Sequence, residues 1–367
     1  MSVQVSYKKQ FMLGIFFLIC ILVVFEIFSQ VYKINEDVSC LFIESEIFDN
    51  VPKSTLNEMC ASYTEIKAPF DPYWENIPNQ HNEYVNINSF GFRGAEISKE
   101  KPENTYRIIM LGGSTMFGTA STSDDTTIPG LLQKKFETAN FDFNVEVINT
   151  GSSGAYSKTE TLYVKDKLLD FDPDLIIVYD GWNDAWIAYT SHIEERGLKG
   201  QLYDGVKYLQ SILPYYKTPI VIREIGMELV SAQGATTGTW TDANLDKKVV
   251  LWKERWNETC SLAQKNDVKT LIMIQPMIGT GDRIITESEE STANLLQNDF
   301  MQLSSSMQRY VDVLPELTNC TMTADLTHVF DGHNEPLFVD LGHVGDNGNM
   351  IISNKIYELV LPIIDIE

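Results

Sequence analysis

Short apolar runs alternate with segments of helical periodicity from Tyr106 onward, and this alternation constrains the fold more than any other feature. The runs are rich in isoleucine and valine, and turn residues bound each of them. They predict buried strands at 106–111, 145–149, 175–179 and 268–275. Strands that alternate with helices form a parallel sheet that is covered on both faces. The sequence therefore predicts an α/β protein whose ligands bind outside the carboxyl ends of the strands.

Helical periodicity lies between and after the predicted strands. It predicts one helix after Pro129 and further helices at 249–263, 295–314 and 346–362. Another helix begins near Ser157, because Ser157 and Glu160 have the spacing of a capping box.

The charge of the chain excludes one class of partner. Of its 367 residues, 28 are basic and 51 are acidic, so the formal net charge is 28 − 51 = −23. This charge repels phosphate backbones and anionic membrane surfaces, which excludes a nucleic-acid partner. A hydrophobic content of 44% excludes a disordered chain.

An apolar segment near the N-terminus predicts a membrane anchor. Residues 11–28 form a run of 18 residues that only Glu26 interrupts, and this length is near the lower limit for a spanning helix. A lysine pair precedes the run, so the positive-inside rule places residues 1–10 in the cytoplasm, residues 11–30 in the membrane and the remainder outside. The alternative is a cleaved signal peptide and secretion, although no small-residue cleavage site follows the run.

Beyond the anchor, residues 31–100 are irregular and punctuated by prolines, which predicts a stalk and a loop-rich lead-in. The alternating pattern predicts one folded domain over residues 101–367. Within it, residues 185–243 form an insertion that is longer than an ordinary connection. Its aromatic residues suit a cap or one wall of a binding pocket, and packing within the insertion would also explain them. These aromatic residues include Trp186, Tyr189, Tyr215, Tyr216 and Trp240.

The cysteine content agrees with export. Apart from one cysteine in the apolar run, the chain has Cys40, Cys60, Cys260 and Cys320. An even number suggests two disulfides in an oxidising compartment, with three possible connectivities. The most local choice pairs Cys40 with Cys60 and Cys260 with Cys320, and buried free thiols are the alternative.

Groups suited to acyl transfer follow the predicted strands. The first strand ends in GGST, which contains Ser114, and the second ends in NTGSSG, which contains Gly154. The third ends in GWND, which contains Asn183, and DLGH near the C-terminus contains Asp340 and His343. An imidazole can activate a serine hydroxyl, a carboxylate can orient the imidazole, and N–H groups can stabilise an oxyanion.

These four blocks, in this order, resemble those of the GDSL-type SGNH hydrolase superfamily. The resemblance covers roughly residues 85–364, and it begins with NSFGFRG at Asn88, which is similar to the lead-in of extracytoplasmic members. It implies a flavodoxin-like three-layer α/β/α fold. It also implies catalytic roles, with Ser114 as nucleophile, His343 as base and Asp340 as the residue that orients the base. The implied oxyanion hole consists of Ser114, Gly154 and Asn183.

The resemblance implies a serine esterase or deacetylase that acts on ester groups of extracytoplasmic glycans, lipids or small esters. An O-acyltransferase with the same triad and a non-catalytic envelope or glycan-binding protein are the alternatives. One residue departs from the family pattern, since Gly113 replaces the acidic residue that usually precedes the serine. His328 and His333 compete for the role of the base, and Gly151 is a second glycine in the loop of Gly154.

The sequence contains no set of metal ligands at recognisable spacing. His328, Asp331 and His333 lie close together, and a loop with solvated polar residues explains them better than a metal site. Neither a phosphate loop nor a dinucleotide fingerprint is present, so the expected chemistry uses no cofactor.

Overall fold

The computed structural model describes residues 6–34, 45–66, 75–187, 189–192, 216, 218, 221 and 242–364. The chain divides into two compact units. One unit groups Met1–Ser39 with Arg196–Thr237, and the other groups Cys40–Glu195 with Gly238–Glu367. Most of the predicted insertion, with Tyr215 and Trp240, lies outside the described residues.

The described part of the first unit contains the helix Tyr7–Ile34. Its segment Tyr7–Val31 has a mean hydropathy of 2.9 and is long and apolar enough to cross a membrane. Glu26, the acidic residue within the apolar run, accepts hydrogen bonds from the backbone N–H (3.0 Å) and the hydroxyl (2.8 Å) of Thr218. The helix includes the predicted anchor at residues 11–30, and its insertion in a membrane remains a prediction.

The second unit is built on a parallel sheet of five strands. In chain order these strands are β1 (Thr105–Gly112), β2 (Asn144–Asn149), β3 (Leu175–Asp180), β4 (Lys269–Ile274) and β5 (Met322–Asp325). Their spatial order is β2-β1-β3-β4-β5. This is the flavodoxin-like order, in which the direction of winding reverses beside β1. The α/β fold predicted from the sequence is confirmed.

Helices flank the sheet. Ile128–Thr138 packs with Asp346–Ile364, and Ser157–Asp166 packs with Asp242–Lys265. The other α-helices in the described part of this unit are Lys53–Glu65, Ser114–Phe117, Trp182–Trp186, Tyr189–His192 and Glu287–Val313. A short antiparallel ladder pairs Gln80–His81 with Asn86–Ile87.

Burial explains which strands the sequence could predict. β3 is buried along its whole length and β1 along all but its first residue, as their isoleucine-rich sequences require. β5 has four residues, three of them half-buried and one exposed, and it lies at the edge of the sheet. Its short, mixed sequence gives no period that distinguishes a strand from a loop.

Two local features differ from the sequence interpretation. The predicted loop-rich lead-in contains the helix Lys53–Glu65, which begins after Pro52 and buries Leu56 and Met59. The predicted capping box between Ser157 and Glu160 is wrong. The Thr159 hydroxyl instead accepts a hydrogen bond from the N–H of Tyr156 at 3.2 Å. Tyr156, not Ser157, is therefore the N-cap of the helix Ser157–Asp166, and the side chains of Ser157 and Glu160 are buried.

A disulfide joins Cys260 to Cys320, with Cα atoms 4.9 Å apart, as the most local pairing predicts. It links the helix Asp242–Lys265 to the loop before β5. Cys60 is also disulfide-bonded, and Cys40 lies outside the described residues.

Candidate active site

Ser114 lies at the turn between β1 and the helix Ser114–Phe117. The chain must pass very close to its neighbours here. A Cβ atom on Gly112 would lie 2.6 Å from the carbonyl oxygen of Tyr179 and 2.7 Å from Met116 Cβ. Glycine is therefore needed for a tight turn that presents the serine side chain at the carboxyl end of β1.

Arg93 holds the other end of this short helix. Its side chain is fully buried and lies 2.7 Å from the carboxylate of Asp124. Its guanidinium also donates to the carbonyl oxygens of Phe117 (3.1 Å) and Gly118 (2.9 Å). A cation at a helix C-terminus satisfies carbonyl groups that lack partners in the helix. The NSFGFRG lead-in thus contributes directly to the position of the Ser114 turn.

Three side chains form a continuous hydrogen-bonded relay. The Ser114 hydroxyl lies 2.7 Å from Nε2 of His343. Nδ1 of His343 lies 2.7 Å from Oδ2 of Asp340. The other carboxylate oxygen of Asp340 accepts hydrogen bonds from the backbone N–H groups of Gly342 (2.9 Å) and His343 (2.7 Å). Asp340 is therefore fixed by three donors, and its own loop sets the direction of the imidazole.

Electrostatics favours the ionised form of Asp340. Burial acts to raise the pKa of this carboxyl, but attraction to His343 and the hydrogen bonds from the imidazole and the backbone outweigh burial and lower the pKa. For His343, burial acts to lower the pKa, and the charge and hydrogen bond of Asp340 reverse this effect and raise the pKa above its usual value of 6.5. The pair therefore stabilises an imidazolium beside the serine.

The Asn183 amide and the backbone of Ala155, which follows Gly154, lie beside Gly113 at the Ser114 turn. Among the described residues, none accepts a hydrogen bond from the backbone N–H of Ser114 or of Gly154. The Asn183 amide nitrogen donates to the carbonyl oxygen of Ala155 at 2.6 Å, which leaves its second N–H for another acceptor. Three donors of this kind can stabilise the negative oxygen of a tetrahedral intermediate.

Close packing explains the glycine at position 113. A Cβ atom there would lie 2.3 Å from the amide nitrogen of Asn183. Any larger residue at this position would displace the Asn183 amide, so the departure of Gly113 from the family pattern leaves room for Asn183.

The two glycines of the second loop differ in conformation. Gly154 has a φ of +82°, which glycine adopts without strain. Gly151 lies against the Ser114 turn, since a Cβ atom on it would be 2.2 Å from the backbone nitrogen of Phe117. Gly151 thus permits the close approach of the two loops.

The competing histidines have other partners. His328 Nδ1 lies 2.8 Å from Asp331, and His333 Nδ1 lies 3.0 Å from Glu335. Metal-ligating atoms of Asp282, His328 and Asp331 lie within 4.8 Å of one another, and all three residues are exposed. None of these residues belongs to the Ser114 relay.

Two tryptophans lie beside the relay. The rings of Trp182 and Trp186 are nearly parallel, at 4°, with centroids 6.1 Å apart, and Trp186 is 41% exposed. Trp182 also packs against Gly342, because a Cβ atom on Gly342 would lie 3.2 Å from the indole. The place of Trp186 in the predicted insertion made it a candidate pocket residue, whereas no feature of the sequence singled out Trp182.

Sequence comparison gives no family for this chain: no protein-family model and no curated protein matches it. Solved structures align with about two thirds of it. An acetyl xylan esterase is 18% identical, with 69% of this chain and 99% of that chain covered and a TM-score of 0.39.

Two further solved structures align over a similar share of the chain. The lipase/acylhydrolase from Enterococcus faecalis is 13% identical, with 70% and 95% covered and a TM-score of 0.41. An acetylxylan esterase from Geobacillus stearothermophilus is 14% identical, with 69% and 93% covered and a TM-score of 0.40. These TM-scores are below 0.5, so the similarities by themselves assign no activity to this chain.

Proposed function

We propose that the protein is a serine esterase of the SGNH type, with Ser114, His343 and Asp340 as its catalytic triad. One observation carries the proposal: the unbroken relay from the Ser114 hydroxyl through His343 to Asp340, with 2.7 Å at each step. The four sequence blocks and the free N–H groups around Ser114 support the same chemistry.

In the first half of the reaction, Ser114 Oγ attacks the carbonyl carbon of the ester while Nε2 of His343 takes the hydroxyl proton. The carbonyl oxygen becomes negative and accepts hydrogen bonds from the N–H groups of Ser114, Gly154 and Asn183. When the intermediate collapses, the imidazolium of His343 gives its proton to the departing alcohol. The acyl group remains on Ser114.

In the second half, a water molecule attacks the acyl group and gives a proton to His343. The same N–H groups stabilise the second tetrahedral intermediate, and collapse releases the carboxylic acid and returns the proton to Ser114. Asp340 remains ionised throughout, since its role is to hold the Nδ1–H tautomer and to stabilise the imidazolium.

The proposal is tested by turnover and covalent labelling of the purified protein. We expect hydrolysis of a short-chain aryl ester, and we expect a fluorophosphonate to label the peptide that contains Ser114. A folded protein that neither turns over the ester nor reacts at Ser114 would contradict the proposal. Product analysis with a glycan acceptor separates hydrolysis from acyl transfer, because transfer moves the acyl group to a sugar hydroxyl.

For the substrate, we infer an O-acylated neutral carbohydrate. Trp182 precedes Asn183 in the chain and packs against Gly342, and the Trp186 ring lies parallel to the Trp182 ring. A sugar that stacks on these indoles would therefore place its ester near Ser114. Indole faces bind apolar faces of ring-shaped ligands while leaving polar edges in water. The net charge of −23 disfavours anionic glycans.

Trp186→Ala is expected to lower kcat/KM for an acetylated neutral oligosaccharide by about 5- to 10-fold, the equivalent of about 1 kcal/mol of lost stacking. Hydrolysis of ethyl acetate, which has no ring to stack on the indole, should remain unchanged. The matched control is Trp186→Phe, which keeps an aromatic face. Equal losses on both substrates, or no loss on the oligosaccharide, would refute the carbohydrate assignment.

We further propose that the protein is anchored by the Tyr7–Ile34 helix, with its catalytic unit outside the cytoplasm. The apolar helix and the Cys260–Cys320 disulfide support this topology, because structural disulfides persist in oxidising compartments. A reporter that is active only outside the cytoplasm, fused after residue 367, is expected to be active and to fractionate with membranes. Activity in the soluble fraction would instead indicate a cleaved signal peptide.

A further inference from the structure

Asp184 directly follows Asn183 and is completely buried, yet the catalytic relay does not use it. Its carboxylate reaches the loop that carries Gly154; this loop and the segment that carries Asn183 are called the two oxyanion loops. Oδ2 accepts a hydrogen bond from the backbone N–H of Ser157 at 2.9 Å, and Oδ1 accepts one from the Ser157 hydroxyl at 2.5 Å. Ser157 follows Gly154 by three residues and is also completely buried. One carboxylate thus joins the two segments that carry Asn183 and Gly154.

We propose that Asp184 is a positioning residue that fixes the two halves of the oxyanion hole relative to each other. This inference rests on the proposed esterase function, since it assigns Asp184 a role in that same site.

The geometry of an oxyanion hole explains why such a connection matters. Its donors must lie about 2.7–3.1 Å from the position of the oxyanion, and a displacement of about 1 Å can cost about 100-fold in rate. Gly154 follows β2 and Asn183 follows β3, and β1 lies between these two strands. Their relative position therefore depends on contacts made above the sheet.

The hydrogen bond between Asn183 and Ala155 connects the two loops directly, but by itself it does not fix the backbone of either loop. The Asn183 amide donates to the carbonyl of Ala155, and rotation of one side chain could maintain this bond while the loops move. Asp184 makes two bonds to one residue at the first turn of the helix Ser157–Asp166, which restricts both distance and orientation. The two contacts together fix Asn183 and Gly154.

The helix Asp242–Lys265 makes further hydrogen bonds to both segments. Arg255 donates to the Ser157 hydroxyl at 3.2 Å, and Lys248 donates to the carbonyl of Ala185 at 2.5 Å. The indole nitrogens of Trp252 and Trp256 donate to Asp180 at 2.8 and 3.2 Å. The segment from Asp180 to Ala185 is therefore held on both sides of Asn183.

Glu160 offers a matched control in the same buried region. It is 1% exposed, its carboxylate has no hydrogen-bond partner among the described residues, and its pKa is raised well above normal by burial and then by Asp180 and Asp184. Removing it deletes a buried carboxyl without breaking a hydrogen bond to either oxyanion loop.

Asp184→Ala is expected to lower kcat by about 100-fold with KM little changed, whereas Glu160→Ala should keep normal kcat. Asp184→Asn should restore most of the activity, because its amide can still accept from the Ser157 N–H and donate to the Ser157 hydroxyl. In a background of Asn183→Ala, the Asp184→Ala change should cost much less than it does alone, since both act on the same donors.

Hydrogen exchange supplies a readout that does not require activity. In Asp184→Ala, the amides of the peptide that contains Gly154 should exchange faster than in wild type, while Glu160→Ala should leave this peptide unchanged. If the wild type shows no esterase activity, the proposed function fails, and exchange still tests the connection. Unchanged exchange in Asp184→Ala, or equal loss of kcat in both alanine variants, would overturn the positioning role.

Discussion

Ser114→Ala is expected to lower kcat for ester hydrolysis by about 10⁶-fold and to abolish fluorophosphonate labelling. The variant lacks the hydroxyl that attacks the ester carbonyl, so no acyl-enzyme can form. The N–H groups of the oxyanion hole remain, and they should leave slow residual hydrolysis by bound water. The measurement compares initial rates and intact protein masses after labelling, with protein from separate expression hosts to exclude contaminating esterases.

Ser353→Ala is the control for this substitution. Ser353 is completely buried in the helix Asp346–Ile364, and its hydroxyl has no hydrogen-bond partner among the described residues. The Ser353→Ala variant should therefore keep normal activity and lose no stability. If Ser114→Ala retained substantial turnover while its thermal midpoint matched wild type, Ser114 could not be the nucleophile.

Asp340→Asn is expected to lower kcat by about 10⁴-fold, because an amide favours the wrong imidazole tautomer and cannot stabilise the imidazolium. It should also shift the pH profile. The charge of Asp340 raises the pKa of His343 above 6.5 against the effect of burial. Without that charge, burial dominates and the pKa of His343 falls.

The direction in which the pH profile shifts follows from the role of His343 as a base, because a base must be the neutral imidazole. In the wild type, kcat/KM should fall as the pH decreases through the raised pKa of His343. In Asp340→Asn, the acidic limb should move to lower pH while the maximum rate drops. The measurement is kcat/KM from pH 4 to 9 for both proteins. An acidic limb at the same pH in both would show that Asp340 does not control His343.

The strands and helices were predictable to different extents. The isoleucine-rich sequences of β1 and β3 specify buried strands because both faces of a parallel sheet exclude water. The helix Lys53–Glu65 was not predicted, because only one of its faces is buried and prolines on either side suggested loops. Its burial depends on contacts with residues such as Ala120 and Val339, which are distant in the sequence.

The candidate site was likewise only partly predictable from the sequence. The four blocks identified Ser114, Asn183, Asp340 and His343 as candidates, since each type of side chain has a recognisable place in acyl-transfer chemistry. No pattern linked Asp184 to Ser157, although Asp184 directly follows Asn183 and Ser157 follows Gly154 by three residues. That connection depends on which way two buried side chains point, and spacing in the sequence contains no such information.

By itself, the sequence determined the α/β class, the apolar N-terminal helix and the chemical groups available at the strand ends, whereas it left three pairings of the four cysteines open. Hydrophobic periodicity and residue chemistry are local properties, so they can be read along the chain. Only the tertiary structure decided that His343 meets Ser114 across 229 positions, that Gly113 leaves room for Asn183, and that Asp184 joins two loops. These contacts arise when a wound parallel sheet brings distant strand ends to one edge, which no local property of the chain specifies.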